Sequence, residues 1–124
     1  MRIGVLLLSL ALMLGLGASL PSHAANLDRE AHKAFRKIGV GPTQTENFAQ
    51  LYEEFLSYRA SQIRRVLNNR AGEEVPVVAK KKARRAAKKS VKQMRAILTE
   101  QQLEYYEEYL ELDNRIFLRN AGLR

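Results

Sequence analysis

A run of bases without any acid is the strongest chemical signal in this sequence. Nine of the residues from 79 to 95 are basic and none is acidic. The bases are Lys80, Lys81, Lys82, Arg84, Arg85, Lys88, Lys89, Lys92 and Arg95. Because clustered positive groups attract anions over long distances, the run predicts a binding surface for acidic proteins, lipopolysaccharide, phospholipid or nucleic acid.

The main alternative is that these bases are neutralised inside the protein. Between residues 100 and 113 there are six acids and no base, and a helical hairpin would bring the two runs together. The candidate pairing partners are Glu104, Glu107, Glu108 and Glu111. We favour a binding surface, because exposed ion pairs contribute only about 0–1 kcal/mol each and a helix that needs only solubility would mix its charges.

Other kinds of chemistry have little support. The chain has no cysteine, and beyond residue 24 its only soft metal ligands are His32 and Met94, so we expect no metal site. It has no nucleophile motif and no Gly-rich phosphate loop, so we expect no enzyme activity and no cofactor. Three tyrosines could stack on nucleic-acid bases, but the glutamates beside them would repel phosphates. We therefore interpret Tyr105, Tyr106 and Tyr109 as core or interface residues.

Residues 1–24 have the features of a secretory signal peptide. Arg2 precedes a long apolar stretch, Pro21 follows it, and Ser22 and Ala24 occupy the small-residue positions before a cleavage site. We predict cleavage after Ala24, a periplasmic location and no stable membrane insertion of the processed chain. An uncleaved membrane anchor is the alternative, because the apolar stretch approaches the length that spans a bilayer.

The remaining residues, 25–124, are enough for one small domain. Loss of Arg2 lowers the net charge from +8 to +7, which still suits an anionic partner. An exported chain without cysteine cannot form disulfides, so packing or oligomerisation must stabilise it.

Helical periodicity extends along this domain, and strand-like alternation is absent, so we predict an all-α fold. The expected helices cover residues 26–37, 43–70, 77–97 and 100–119. In the second, the periodic positions are Phe48, Leu51, Tyr52, Phe55, Gln62, Ile63, Val66 and Leu67. In the third, the apolar line is thin and comprises Ala83, Ala87, Val91, Met94 and Leu98.

Capping patterns predict where three of these helices begin. Thr43 and Glu46 could form a capping box, and Pro76 suits the first position of the third helix. At the ILTEQQ junction, Thr99 and Gln102 fit the N-cap and N3 positions of a second capping box. Leu98 and Leu103 can close a hydrophobic staple over that turn.

The last helix carries two apolar stripes. One contains Leu103, Tyr106, Leu110 and Phe117, and the other contains Tyr105, Tyr109, Leu112 and Ile116. A thin single domain has too little surface to cover both, so the pattern predicts a partner subunit.

The junction also resembles a known motif. Leu98-Thr99-Glu100-Gln101-Gln102 is similar to the LTxxQ motif of the Spy/CpxP family of periplasmic stress proteins. The signal peptide, the lack of cysteine and the basic helix leading into the motif also match. Family members usually carry two copies. The other copy would fall at residues 42–46, where proline replaces the leucine and glutamate replaces the glutamine.

The resemblance implies a thin four-helix cradle, paired as an antiparallel homodimer. It implies an ATP-independent chaperone that holds unfolded or acidic proteins on a basic face, or a regulator that binds the periplasmic domain of a sensor kinase. An anionic-polymer binder is a third alternative, although we do not expect nucleic acid to be the partner. The expected client-binding residues are Lys80, Lys81, Arg84, Arg85, Lys88, Lys92 and Arg95. The expected motif residues are Leu98, Thr99, Gln102 and Leu103.

Overall fold

A computed structural model describes residues 22–69 and 74–123, which form four helices. In chain order these are α1 (Ser22–Ile38), α2 (Thr45–Asn69), α3 (Glu74–Met94) and α4 (Glu100–Asn120). The described residues contain no strand, which confirms the predicted all-α class. None of these helices combines the length and the apolar character that crossing a bilayer requires. Most of the predicted signal peptide, residues 1–21, lies outside the described residues.

The helices alternate in direction, and two of their connections lie at the same end of the molecule. The side-chain amide of Gln102, at the start of α4, lies 3.2 Å from the Ile38 carbonyl oxygen at the end of α1. The side-chain amide of Gln44, just before α2, lies 2.8 Å from the Ile97 carbonyl oxygen between α3 and α4. We call this end the glutamine end. From there, α1 packs against α4, α4 against α3, and α3 against α2.

Buried apolar side chains form two clusters along the molecule. The larger cluster lies toward the glutamine end, and its rings are Phe48, Tyr52, Phe55, Tyr106 and Tyr109. The smaller cluster, at the opposite end, comprises Ile63, Val66, Val75, Ala79, Ala83, Leu118 and Leu123. The middle of the buried face of α3 carries only small residues, Ala79, Ala83, Ala86 and Ser90, so this helix can lie close to both of its neighbours.

Most residues of both apolar stripes of α4 are buried within a single chain. Tyr106 and Leu110 of one stripe are buried, and so are Tyr109 and Ile116 of the other. Phe35 of α1 packs edge-on against Tyr109, with 5.2 Å between the ring centroids. The stripes therefore no longer argue for a second subunit, because one chain covers most of their residues. The predicted homodimer stays a prediction, and the family resemblance is its remaining support.

Several boundaries differ from the sequence prediction. α1 begins at Ser22, four residues earlier than predicted, because residues 22–25 contain neither proline nor glycine. α3 begins at Glu74, which makes Pro76 its third residue; proline is tolerated there because first-turn N–H groups lack intrahelical partners. α3 also ends earlier than predicted, and residues 95–97 form a turn.

Two predictions for α2 are wrong. The helix begins at Thr45, Thr43 lies in the preceding turn, and the predicted capping box of Thr43 and Glu46 does not form among the described residues. Leu67 is 49 % exposed, because the buried face of the last turn of α2 passes through the adjacent Val66, which is 4 % exposed. The buried set instead includes Ala49 and Arg59.

Candidate functional site

The outward side of α3 is a continuous basic face. All seven predicted binding residues are exposed: Lys80, Lys81, Arg84, Arg85, Lys88, Lys92 and Arg95. The opposite side of the helix buries Ala79, Ala83, Ala86 and Ser90. Helical periodicity therefore brings the seven bases together on one surface, which we call the basic face.

Most bases of the basic face form no ion pair with the acids of α4 in the described residues. Among the described residues, its only ion pair with an acid joins Arg95 Nη1 to Glu100 Oε1 at 3.4 Å, and both side chains are largely exposed. Glu111 instead pairs with Arg115 of its own helix at 3.2 Å. Glu104, Glu107 and Glu108 form no ion pair with α3 in the described part of the chain. The alternative of a neutralised hairpin is therefore not seen.

The two remaining bases of the run are Lys82 and Lys89, and Lys89 contacts α2. Lys82 is half-buried, and the ammonium group of Lys89 lies 4.1 Å from the centroid of the Tyr58 ring, a cation–π arrangement. An open groove of about 520 Å³ separates the helices at this level, with Glu53 and Glu54 on its α2 wall. These carboxylates would repel an acidic ligand. The groove therefore lies beside the basic face but does not add to its binding surface for acidic ligands.

The ILTEQQ junction has the predicted capping box. Thr99 is the N-cap of α4, and its hydroxyl oxygen accepts a hydrogen bond from the Gln102 N–H at 3.2 Å. The Gln102 side-chain oxygen accepts a bond from the Thr99 N–H at 3.0 Å. Leu98 and Leu103 are both buried in the larger cluster, as a hydrophobic staple requires. This prediction is confirmed.

Gln102 also connects two parts of the chain, which the sequence did not reveal. Its amide nitrogen donates to the carbonyl oxygens of Ile38 and Gly39, at 3.2 Å each. Gly39 has a φ of 62°, a left-handed conformation that favours glycine and reverses the chain after α1. The motif glutamine thus caps its own helix and holds the end of α1.

Gln44 is a second glutamine with a matching role. Its side-chain oxygen accepts from the Gly41 N–H at 2.9 Å, and its amide nitrogen donates to the Ile97 carbonyl oxygen. The side-chain amides of Gln44 and Gln102 also bond to each other in both directions, at 2.9 Å. Gln44 therefore bonds to the backbone N–H three residues before it, which is the kind of bond that the predicted capping box assigned to Glu46. The only sequence signal was the shared spacing of three residues, from Gly41 to Gln44 and from Thr99 to Gln102.

A buried polar layer separates the two apolar clusters. Arg59 Nη1 lies 2.9 Å from Asp113 Oδ2 and donates to Asn114 Oδ1 at 2.9 Å. Asp113 also accepts a hydrogen bond from the Tyr52 hydroxyl at 3.3 Å, and Asn114 donates to the Ala83 carbonyl oxygen at 3.1 Å. Sequence reasoning missed this layer because Asp113 lies at the end of the acidic run, and nothing in the pattern distinguishes it from the other acids. The available signal was a charged residue, Arg59, on the apolar period of α2.

The tyrosines belong mainly to the core, as predicted. Tyr106 and Tyr109 are buried, and the Tyr109 hydroxyl lies 2.9 Å from that of Tyr52. Burial raises the pKa of Tyr52 and Tyr109 well above the ordinary value, with a further increase from the Asp113 carboxylate. Burial also raises the pKa of Tyr106. Tyr105 is half-buried against the larger cluster, so no exposed stacking platform forms from the three predicted tyrosines.

The described residues hold no group of three or more potential metal ligands from histidine, cysteine, aspartate and glutamate. His32 is exposed on α1.

Comparisons of the chain with protein-family models, characterised proteins and solved structures gave no match. The similarity to the Spy/CpxP family therefore rests on the motif and the layout of the sequence.

Proposed function

We propose that the basic face of α3 binds acidic, unfolded segments of other proteins, and that the chain acts as an ATP-independent periplasmic chaperone or stress adaptor. The observation that carries this proposal is the set of seven exposed bases on one helix face, of which only Arg95 pairs with an acid among the described residues. The similarity of residues 98–102 to the LTxxQ motif supports the same function.

Electrostatics would supply the first step of binding. A surface of one sign attracts an oppositely charged partner before contact and increases the association rate. Because exposed charges are screened over about 10 Å at 0.1 M salt, this attraction must weaken as ionic strength rises. Val77, 58 % exposed near the start of α3, supplies apolar surface beside the bases. Contacts of this kind would hold a client loosely and let it leave.

Glutamine substitution on the basic face tests the proposal. Lys81, Arg85, Lys88 and Lys92 are exposed, and glutamine retains most of the helix propensity at each position. We expect this variant to keep its melting temperature and to lose protection of unrelated aggregating proteins in the absence of ATP. The protection given by the wild type should itself weaken from low to high salt.

A matched control removes four positive charges elsewhere. Lys33, Lys37, Arg64 and Arg65 are exposed on α1 and α2, so their replacement by glutamine makes the same change in net charge. This control should protect clients as well as the wild type does. Equal losses in both variants would show that net charge, rather than the basic face, is responsible and would contradict the proposal.

Two outcomes would favour the other functions. If the wild type protects no unrelated protein, the chaperone proposal fails and a regulator that binds one sensor domain becomes the better explanation. If the wild type binds duplex DNA with an affinity that falls steeply with salt, an anionic-polymer binder is favoured.

A further inference from the structure

Asp28 of α1 is a buried carboxylate with one oxygen unused. The residue is only 6 % exposed, and its Oδ1 accepts a hydrogen bond from Arg119 Nη2 of α4 at 3.4 Å. Its other oxygen, Oδ2, is buried and has no hydrogen-bond partner. Buried polar atoms of folded proteins nearly always have partners, because an unpaired one keeps its full desolvation cost. The position of Oδ2 is therefore suited to a further donor.

The predicted cleavage site lies one helical turn before this carboxylate. In a helix each Cα–Cβ bond tilts toward the N-terminus, so the Asp28 side chain lies over the turn that contains residue 25. A capping box uses the same spacing, in which the N3 side chain accepts a hydrogen bond from the N-cap N–H. Cleavage after Ala24 would make Ala25 the first residue and give it an ammonium group.

We propose that Asp28 is a binding site for the new N-terminus, in which the α-ammonium group of Ala25 donates to Asp28 Oδ2 after signal-peptide cleavage. The inference rests on the predicted cleavage and is independent of the proposed chaperone function. In the uncleaved chain the first turn of α1 contains no acid. Cleavage would place Asp28 in the first turn, where a negative charge is favourable for the helix dipole.

The surrounding charges leave Oδ2 available to an ammonium group. From α4, Arg119 faces Asp28 and uses Oδ1, while Arg115 pairs with Glu111 at 3.2 Å. On α1 itself, the guanidinium group of Arg29 donates to the side-chain oxygen of Asn26. Arg119 and the new terminus would then share the carboxylate, one on each oxygen. The chain would thus acquire this contact only after the leader has been removed.

The first test compares exported proteins in a two-by-two design. One pair is the wild type and a variant with Gly-Ser inserted between Ala24 and Ala25, so that processing leaves two extra residues before Ala25. The second pair carries Asp28→Asn in both backgrounds. We expect the insertion to lower the melting temperature of the wild type by about 5 °C at pH 6 and to have no effect beside Asp28→Asn. Equal effects in both backgrounds would overturn the proposal.

Two checks complete this design. Mass spectrometry of the exported wild type should show Ala25 as the first residue, and any other start would refute the proposed site. Glu30→Gln is a matched control, because it removes an exposed acid from the same helix. The insertion should destabilise the Glu30→Gln protein as much as it destabilises the wild type.

The second test measures the reactivity of the N-terminal amine and does not depend on how stable Asp28→Asn is. A carboxylate contact raises the pKa of an α-amino group above its usual value of about 7.7–8.0. The stability that this contact adds is then complete below about pH 7.7 and is lost as the pH rises through the raised pKa. At pH 7, acylation of the N-terminal amine should be about tenfold slower in the folded wild type than in urea. Equal rates in the two conditions would rule the contact out.

Discussion

Replacing Asp113 should test the buried polar layer most severely. Its side chain is 10 % exposed and that of Arg59 is 5 % exposed, so neither charge is well solvated. In Asp113→Ala, Arg59 Nη1 would keep only Asn114 Oδ1 as an acceptor, and Arg59 Nε has no hydrogen-bond partner even in the wild type. Breaking a buried ion pair by removing one partner costs about 3–5 kcal/mol.

A loss of that size is large for a domain of this length. Total folding stabilities are about 5–15 kcal/mol, and each kcal/mol shifts the melting temperature of a 60–100-residue domain by roughly 4–8 °C. We therefore expect Asp113→Ala to melt at least about 12 °C below the wild type. The rings of Phe55 and Phe117, whose centroids lie 4.8 and 4.1 Å from the Arg59 guanidinium carbon, would offset only part of the lost interaction.

Urea denaturation followed by far-UV circular dichroism measures this free energy of unfolding. The double variant Arg59→Met/Asp113→Leu removes both charges together, and we expect it to recover to within about 1 kcal/mol of the wild type or better. Glu111→Ala is a surface control and should change stability by no more than about 0.5 kcal/mol. A loss below about 1 kcal/mol for Asp113→Ala, or a double variant no more stable than Asp113→Ala, would refute this reasoning.

Three further predictions concern the glutamine end, the tyrosines and assembly. Thr99→Ala should lower the free energy of unfolding by about 1 kcal/mol, and Gln102→Ala should lower it further, because the loss of Gln102 also removes the hydrogen bonds to α1. Gln101→Ala, at an exposed position, is the control. Equal losses in all three variants would contradict the role of Gln102. Above pH 10 the free energy of unfolding should fall by up to about 4 kcal/mol per pH unit, because the raised pKa values keep three tyrosines protonated only in the folded state. The three tyrosines are Tyr52, Tyr106 and Tyr109. Their tyrosinate absorbance should rise in the same cooperative transition in which helicity is lost. A gradual rise in absorbance while the protein stays folded would contradict the prediction. Analytical ultracentrifugation should detect a dimer at micromolar concentration if the family resemblance extends to assembly, and a monomeric mass would contradict it.

Features set by neighbouring residues could be predicted from the sequence. The Thr99 capping box involves only four consecutive residues, so it could be recognised from the sequence alone. The outward position of the basic face followed from helical periodicity, because the alanines that α3 buries recur three and four residues apart. The periodicity also gave the four helices, with errors mainly at their ends.

Features that join distant residues could not be predicted. Gln44 and Gln102 are 58 residues apart, and Arg59 and Asp113 are 54 apart. Periodicity shows which side of a helix is apolar but not which helix covers it. The sequence pattern therefore did not predict that α1 pairs with α4 and packs against the second stripe. Asp113 was likewise indistinguishable from the exposed acids until the neighbour of α4 at that level was known.

The paired glutamines have a consequence for the rates of folding and unfolding. Each side-chain amide can complete its hydrogen bonds only when both connections at the glutamine end are already in place. Contacts between residues so far apart in sequence carry a large loop-closure cost and are expected to form late. Interactions absent from the transition state slow unfolding without speeding folding. The two glutamines should therefore determine mainly how long the chain remains folded, rather than how quickly it folds.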